Sequence, residues 1–250
     1  MGKLRPIALS IAGLDPSAGA GLLADIKTFE AHKIYGLGVA SAITYQNDTV
    51  FEKVEWLTID AIINQITILK KRFTIPFIKI GLIENLEILE ALITYLKSND
   101  KEVVLIWDPI LKASAGFKFH NKLDLALVEK ICAQLFLITP NLEEALQLGF
   151  EKDALSNSNH LSNFCNVYLK GGHSETDKGR DFLFTKDKKQ FNFKPKKYEV
   201  FEKHGSGCVL SSAITANIAK GIKLHRACLE AKGYTAEFLS SNKTLLGYHK

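Results

Sequence analysis

The chain has 250 residues, 46 % of them hydrophobic and 24 % charged, and 32 Lys plus Arg against 27 Asp plus Glu give a formal net charge of +5. That length leaves room for a sizeable core, and the chain reads as a single domain over residues 1–250. So small an excess of positive charge favours anionic ligands weakly and does not argue for nucleic acid, which is not expected as a partner.

Apolar runs and helical periodicities alternate along the chain. "PIALSIAGL" (6–14) reads as a buried strand, and "GLLADIKTFEAHK" (21–33) as a helix with Leu22, Ile26 and Phe29 on one face. A strand at 36–47 and a helix at 58–73 follow; that helix carries Asp60 in its first turn and Lys70, Lys71 and Arg72 in its last, which complements the helix dipole. Strands at 77–83, 102–110, 135–141 and 166–172 alternate with helices at 85–98, near 121–133, and at 142–149. "RDFLFT" and "KQFNFK" read as a hairpin, and two helices, roughly 207–220 and 224–241, end the chain. There is no repeat, no low-complexity segment and no linker rich in Pro, Gly or Ser. The pattern predicts an α/β fold: a central, mostly parallel sheet with helices on both faces, in three layers.

Cys132, Cys165, Cys208 and Cys228 are far apart and lack metal-ligand spacing, so neither a disulfide framework nor a cysteine metal site is expected. The apolar run near the N-terminus is too short for a membrane span and is followed by Asp and Pro, unlike a signal peptide. The expected location is the cytoplasm, without membrane contact. The basic stretch "TKDKKQFNFKPKK" (185–197) reads as a solvated hairpin face or, more sharply, as a polyphosphate attractor.

Ligands in such sheets bind beyond the carboxyl ends of the strands. There the sequence places "GLDPSAGAG", "QND", "GLI", "DPI", "TPNLEE" and "KGGH", a rim of small and polar residues. No G-x-x-x-x-G-K-[ST] loop occurs. "GAGLLA" (19–24) matches G-x-G-x-x-A, but it starts late after its strand and lacks the acidic partner of a dinucleotide site; it reads better as a substrate loop. "HGSGC" (204–208) precedes a helix. Unpaired N–H groups at a helix start bind anions, and Gly205, Ser206 and Gly207 leave them open to phosphate oxygens. Cys208 then lies at the positive end of the dipole, where a thiol's pKa is expected to fall and the thiolate to act as base.

These stretches, from "IAGLDPSAGAGLLADIKTFEAHKIYGLGVASAITYQND" (11–48) through "KIGLI", "DPILKASAG", "TPNLEEA" and "KGGH" to "HGSGCVLSSAITANIAKG" (204–221), resemble the ribokinase-like superfamily. Within it they closely resemble the hydroxymethylpyrimidine/phosphomethylpyrimidine kinases of thiamine synthesis. The resemblance implies transfer of the ATP γ-phosphate to 4-amino-5-hydroxymethyl-2-methylpyrimidine and then to its monophosphate, with Mg²⁺ as cofactor. It implies that Gly13, Asp25 and Gln46 contact the pyrimidine, and that Asp108, Asn141, Lys170 and Gly207 serve the nucleotide. It further implies that Asn141 and Glu144 position Mg²⁺ through water. Gly205, Ser206 and Gly207 would form the anion hole, with Cys208 as base. Members of the family often form homodimers. Ser206 departs from the more usual Thr, residues 150–165 are shorter than the expected helix and loop, and the tail "TLLGYHK" lacks the usual closing segment. A pyridoxal kinase is the nearest alternative; a non-catalytic pyrimidine or nucleotide sensor is a remoter one.

Overall fold

The computed structural model describes residues 5–112, 123–172, 179–195 and 199–250. Its nine strands are β1 (Ile7–Leu14), β2 (Tyr35–Gln46), β3 (Phe51–Trp56), β4 (Phe77–Ile80), β5 (Val104–Trp107), β6 (Leu137–Ile138), β7 (Asn166–Leu169), β8 (Asp181–Phe184) and β9 (Gln190–Phe193). They form one sheet in the order β3-β2-β1-β4-β5-β6-β7-β8-β9. The six strands from β2 to β7 pair in parallel, whereas β3, β8 and β9 add on antiparallel. The chain reverses its winding direction at β1, so a crevice opens between the carboxyl ends of β1 and β4.

Among the described residues eight helices cover the sheet: α1 (Gly21–Ala31), α2 (Ile59–Lys70), α3 (Leu86–Asn99), α4 (Leu125–Cys132), α5 (Leu142–Gln147), α6 (Ala154–Leu161), α7 (Ser206–Ala219) and α8 (Leu224–Leu239). Their starts follow local chemistry. Thr58 accepts a hydrogen bond from the Ala61 N–H, and Asn85 from that of Ile88, as N-caps do. Ile62 and Ile66 of α2 are fully buried, contributing roughly 1.5–3 kcal/mol each.

Strand side chains alternate between two cores. Leu105 and Trp107 of β5 join the core beneath α2 to α6, and Ile106 between them joins the one beneath α7 and α8. Ala8 meets Phe29 of α1 and Ala216 of α7 in a third cluster on that second face. The three-layer expectation therefore holds. No helix among the described residues is long and apolar enough to cross a membrane.

Three details differ from the sequence reading. β3 has no counterpart in it, because its "FEKVEW" is largely exposed and lacks a clear apolar face. Helix α6 occupies part of 150–165, where the apolar pattern gave no helix although the resemblance implied a helix and loop; Asp153 caps it by accepting from Ser156, and Leu161 anchors it in the core. Cut short by its end at Leu161, this helix still packs on β7. The β8–β9 turn carries Lys186, Lys188 and Lys189, but β8 runs antiparallel to β7, so the turn lies at the edge opposite the parallel strands' carboxyl ends. The polyphosphate-attracting reading of this turn fails on placement; residues 196–197 of the stretch lie outside the described residues, as do His173 and 113–116 of the quoted motifs.

Candidate active site

The ladder hydrogen bonds continue past the strand ends and align the rim. Gly81 N–H donates to Ile11 O, Asp108 N–H to Ile80 O, Thr139 N–H to Trp107 O and Lys170 N–H to Pro140 O. Asn141 and Lys170 form a further parallel bridge. Residues distant in sequence thus stand side by side along one edge, as the parallel topology requires.

Helix α7 begins in this edge. Its N-cap is Gly205, at φ +76°, and no side chain caps it. Val209 N–H reaches back to Gly205 O, which leaves the amides before it without an intrahelical partner. Gly205 is required twice over. Its φ is left-handed, and a Cβ there would lie 2.1 Å from the Gly19 carbonyl oxygen. The sequence reading started this helix at 207; the αL cap moves the start to Ser206.

Lys170 faces those amides. A Cβ on Gly207 would sit 3.5 Å from Lys170 Nζ, so only the space of a small group separates the ammonium from the helix start. Lys170 donates to Asp108 Oδ1 at 2.8 Å and approaches Glu144 Oε2 at 3.6 Å. Burial works against its charge, but Asp108 and Glu144 push its pKa above the usual lysine value. Asp108 also accepts from Thr139 and Ser211. Although burial opposes its ionisation, Lys170 and Lys79 hold it below the ordinary aspartate value. Asp108 is itself almost inaccessible, its carboxylate engaged by Lys170, Thr139 and Ser211.

Asn141 and Glu144 form a reciprocal capping box at the start of α5: Asn141 Oδ1 accepts from Glu144 N–H, and Glu144 Oε2 from Asn141 N–H. The Asn141 side chain is engaged as a cap, so of this pair Glu144 is the group presented to Lys170. Burial first, and Asp108 further, push the Glu144 carboxyl up to about 7, against the pull of Lys170. Among the described residues no group of three or more His, Cys, Asp and Glu side chains is placed to hold a metal outright.

Cys208 sits in the first turn of α7 and is buried. Here the structure corrects the sequence reading. Its thiol is not lowered but pushed up to about 11: burial raises it, Asp25 and Asp108 add to that, and Lys79 and a hydrogen bond from the Gly21 backbone only partly offset it. Desolvation is the largest cause.

On the other side of the crevice, the β1–β2 register slips between Ala12 and Gly13. Gly13 therefore lies at an irregular strand end, with Leu82 and Thr44 flanking it: a Cβ there would be 3.0 Å from Leu82 Cδ2 and 3.5 Å from Thr44 Cγ2. Gln46 ends β2 half-buried and donates through Nε2 to Thr44 Oγ1 at 2.9 Å. Gly13 and Gln46 are thus brought together through Thr44. Asp25 is placed differently from the expectation. It lies beneath the crevice, wholly buried, and accepts from Lys79 Nζ, Ser10 Oγ and Ser212 Oγ. With its oxygens so engaged, it supports the floor rather than presenting a surface to a ligand.

Sequence reasoning missed Lys79, Ser10, Ser212, Asp15 and His204. One signal was available: a lysine inside the apolar strand "FIKIGLI" is out of place unless paired. The Asp15–His204 pair left no such trace, since 189 residues separate the two.

An open helix start beside a largely buried lysine, at the carboxyl edge of a parallel sheet, is an arrangement suited to holding a phosphate group. The sequence places the chain more narrowly. It belongs to the phosphomethylpyrimidine kinase family, whose model matches residues 15–250. It is 32% identical over 247 residues to the hydroxymethylpyrimidine/phosphomethylpyrimidine kinase of Aquifex aeolicus, covering 96% of each chain. Among solved structures, it resembles the phosphomethylpyrimidine kinase of Clostridium difficile 630 at TM-score 0.76 and 30% identity, over 93% of this chain and 99% of that one. It also shares the fold of the Staphylococcus aureus pyridoxal kinase solved with ADP, at TM-score 0.83 and 24% identity, over 97% and 90% of the two chains.

Proposed function

We propose that this protein transfers the γ-phosphoryl group of ATP to the hydroxymethyl oxygen of 4-amino-5-hydroxymethyl-2-methylpyrimidine, and then a second phosphoryl group to the monophosphate, in thiamine synthesis. The observation that carries this reading is the approach of Lys170 Nζ to the start of α7, where a Cβ on Gly207 would lie 3.5 Å from the ammonium and no side chain caps the helix amides. Phosphoryl transfer needs positioning and charge neutralisation above all, and this arrangement supplies both.

The pyrimidine lies between Gly13 and Gln46. The Gln46 amide can both donate to and accept from a ring nitrogen and an exocyclic amine. The amides of Ser206, Gly207 and Cys208 and the Lys170 ammonium take up charge on the transferred group. Cys208 accepts the proton of the attacking hydroxyl. It does so as the thiolate: burial pushes its value up to about 11, so at neutral pH the thiol first loses its own proton to solvent and only a small fraction of molecules is competent.

The donor set fits Mg²⁺. This ion retains several waters and is held by one or two carboxylates together with phosphates, rather than by a full protein cage. Glu144 would hold it through water, with Asn141 fixing the carboxylate by the capping box. When bound, it supplies Lewis-acid neutralisation of phosphate oxygens. The site residues lie on one chain, and the reading extends to a homodimer whose protomers each carry a full site, in the cytoplasm.

The test is turnover of the pyrimidine, its monophosphate and pyridoxal side by side, with ATP and Mg²⁺. The expected result is clear preference for the two pyrimidines. Preference for pyridoxal would overturn the substrate, and nucleotide binding without any transfer would overturn catalysis.

A further inference from the structure

Three segments far apart in sequence interlock behind the helix start. The first is the loop from Asp15 to Ala20. Asp15 is wholly buried, and its carboxylate accepts from Ser17 N–H, Ser17 Oγ and Ala20 N–H, which folds the loop around it. The second is Lys203–Gly205. His204, also buried, meets Asp15 Oδ2 through Nε2 at 2.9 Å. The third is the C-terminal stretch. His204 N–H donates to Leu245 O, and Lys203 Nζ donates to Asn242 O and Thr244 O.

The packing leaves no slack. A Cβ on Gly19 would lie 2.6 Å from His204 Cδ2 and 2.7 Å from Leu246 Cδ2, and a Cβ on Gly205 would lie 2.1 Å from Gly19 O. Gly21, which opens α1, has φ +57° and would place a Cβ 2.3 Å from Gly13 O. A rigid path therefore runs from Gly13, on the pyrimidine side, through the loop and the Asp15–His204 pair to Gly205, on the phosphate side. The C-terminal stretch backs this path.

We infer that Asp15 and His204 are a positioning pair: they lock the substrate loop to the phosphate-binding helix start, so that acceptor and donor are held in one register. The inference rests on the activity proposed above. Neither residue touches the reacting atoms; each acts through Gly205 and the loop. Burial opposes a charge on Asp15, but the hydrogen bonds from His204, Ser17 and Ala20 hold it below the usual aspartate value, in keeping with an ionised acceptor. Misplacement by about 1 Å can lower a rate about 10²-fold, so loss of the pair should act on turnover more than on ground-state binding.

The experiment uses the full-length chain with substitutions Asp15→Ala, His204→Ala, the double substitution and His204→Gln. We expect each alanine variant to lower kcat about tenfold or more, with KM for ATP and for the pyrimidine changed less than about threefold. The double variant should lose no more than the worse single one, and His204→Gln, which keeps an N–H near the place of Nε2, should recover much of kcat. Full kcat in either alanine variant, additive losses in the double, or a change confined to KM would overturn the pair. Amide hydrogen exchange gives an answer that does not need turnover. In either single variant, exchange should quicken in both 15–21 and 203–209, and acceleration confined to the mutated segment would overturn the inference. If the wild-type chain turns over no pyrimidine, the activity reading fails, and the exchange experiment alone decides whether the pair locks the two segments.

Discussion

Lys79 and Asp25 meet beneath the crevice with neither side chain reaching solvent, the ammonium 2.8 Å from Oδ2 and 3.0 Å from Oδ1. With Ser10 and Ser212 also donating, the carboxylate ties together β1, α1, β4 and α7. Burial works against the Lys79 charge, but Asp25, Cys208 and Asp108 around it push its pKa above the usual value. A buried pair of this kind is worth little against an apolar replacement, but breaking one half strands the other. Lys79→Met should therefore destabilise the protein by about 3–5 kcal/mol, whereas Lys79→Met with Asp25→Leu should recover much of that loss. Urea unfolding of the three proteins measures it; a single variant as stable as wild type would contradict the pairing.

Cys208→Ala should lower kcat by about 10²–10⁴ with little change in ATP affinity, the range typical of a positioned base. The thiol value of about 11 adds a signature. Since the thiolate is the base, wild-type kcat should climb with pH through the alkaline range, and the residual activity of the variant should not. A variant with full rate would remove the sulfur from the mechanism.

The same thiol links pH to stability. Its value is raised in the fold, from 9.0 to about 11, chiefly by burial. Between those values the folded chain keeps a proton that the unfolded chain has released, so stability falls as pH rises through the window. At about 1.4 kcal/mol per unit, Cys208 contributes on the order of 2–3 kcal/mol of that fall. Unfolding of Cys208→Ala between pH 8.5 and 11 should show a shallower decline than wild type. Parallel curves would mean that the thiol is not shifted.

Gly207→Val tests the gap before Lys170. The position has no left-handed φ, and its Cβ would make ordinary contact with Nζ at 3.5 Å, so the fold should tolerate the change. The added methyl groups occupy the phosphate's place. KM for ATP should rise and kcat fall, each by about tenfold or more. Gly205→Ala, by contrast, should fail on stability, because its backbone is left-handed and its Cβ collides with Gly19 O.

Gln46→Ala should raise KM for the pyrimidine about tenfold or more and leave KM for ATP nearly unchanged, because a site that hydrogen-bonds its ligand discriminates strongly when a partner is lost. Equal effects on both substrates would place Gln46 outside the pyrimidine site.

Much of the fold was written locally. Ile62 and Ile66 recur at helical spacing, β5 and β7 are short apolar runs, and Gly, Asp and Asn gather after the strands; each signal depends on neighbours within a few residues. Gly205, Ser206, Gly207 and Cys208 were legible for the same reason, since a helix start is a local structure. The edge strand β3 and the polar helix α6 were not, because their half-exposed surfaces carry little periodic signal.

The sequence by itself determined the alternation of strands and helices, the edge on which the functional residues stand and the glycine-rich helix start, because hydrophobic period and backbone freedom are properties of short stretches. Only the tertiary structure decided which charges meet. It joined Asp25 to Lys79 and Asp15 to His204, and buried Cys208 deeply enough that desolvation is the largest influence on its thiol. Those outcomes depend on how far each group is removed from water and on partners up to 189 residues away, and neither quantity exists until the chain has packed.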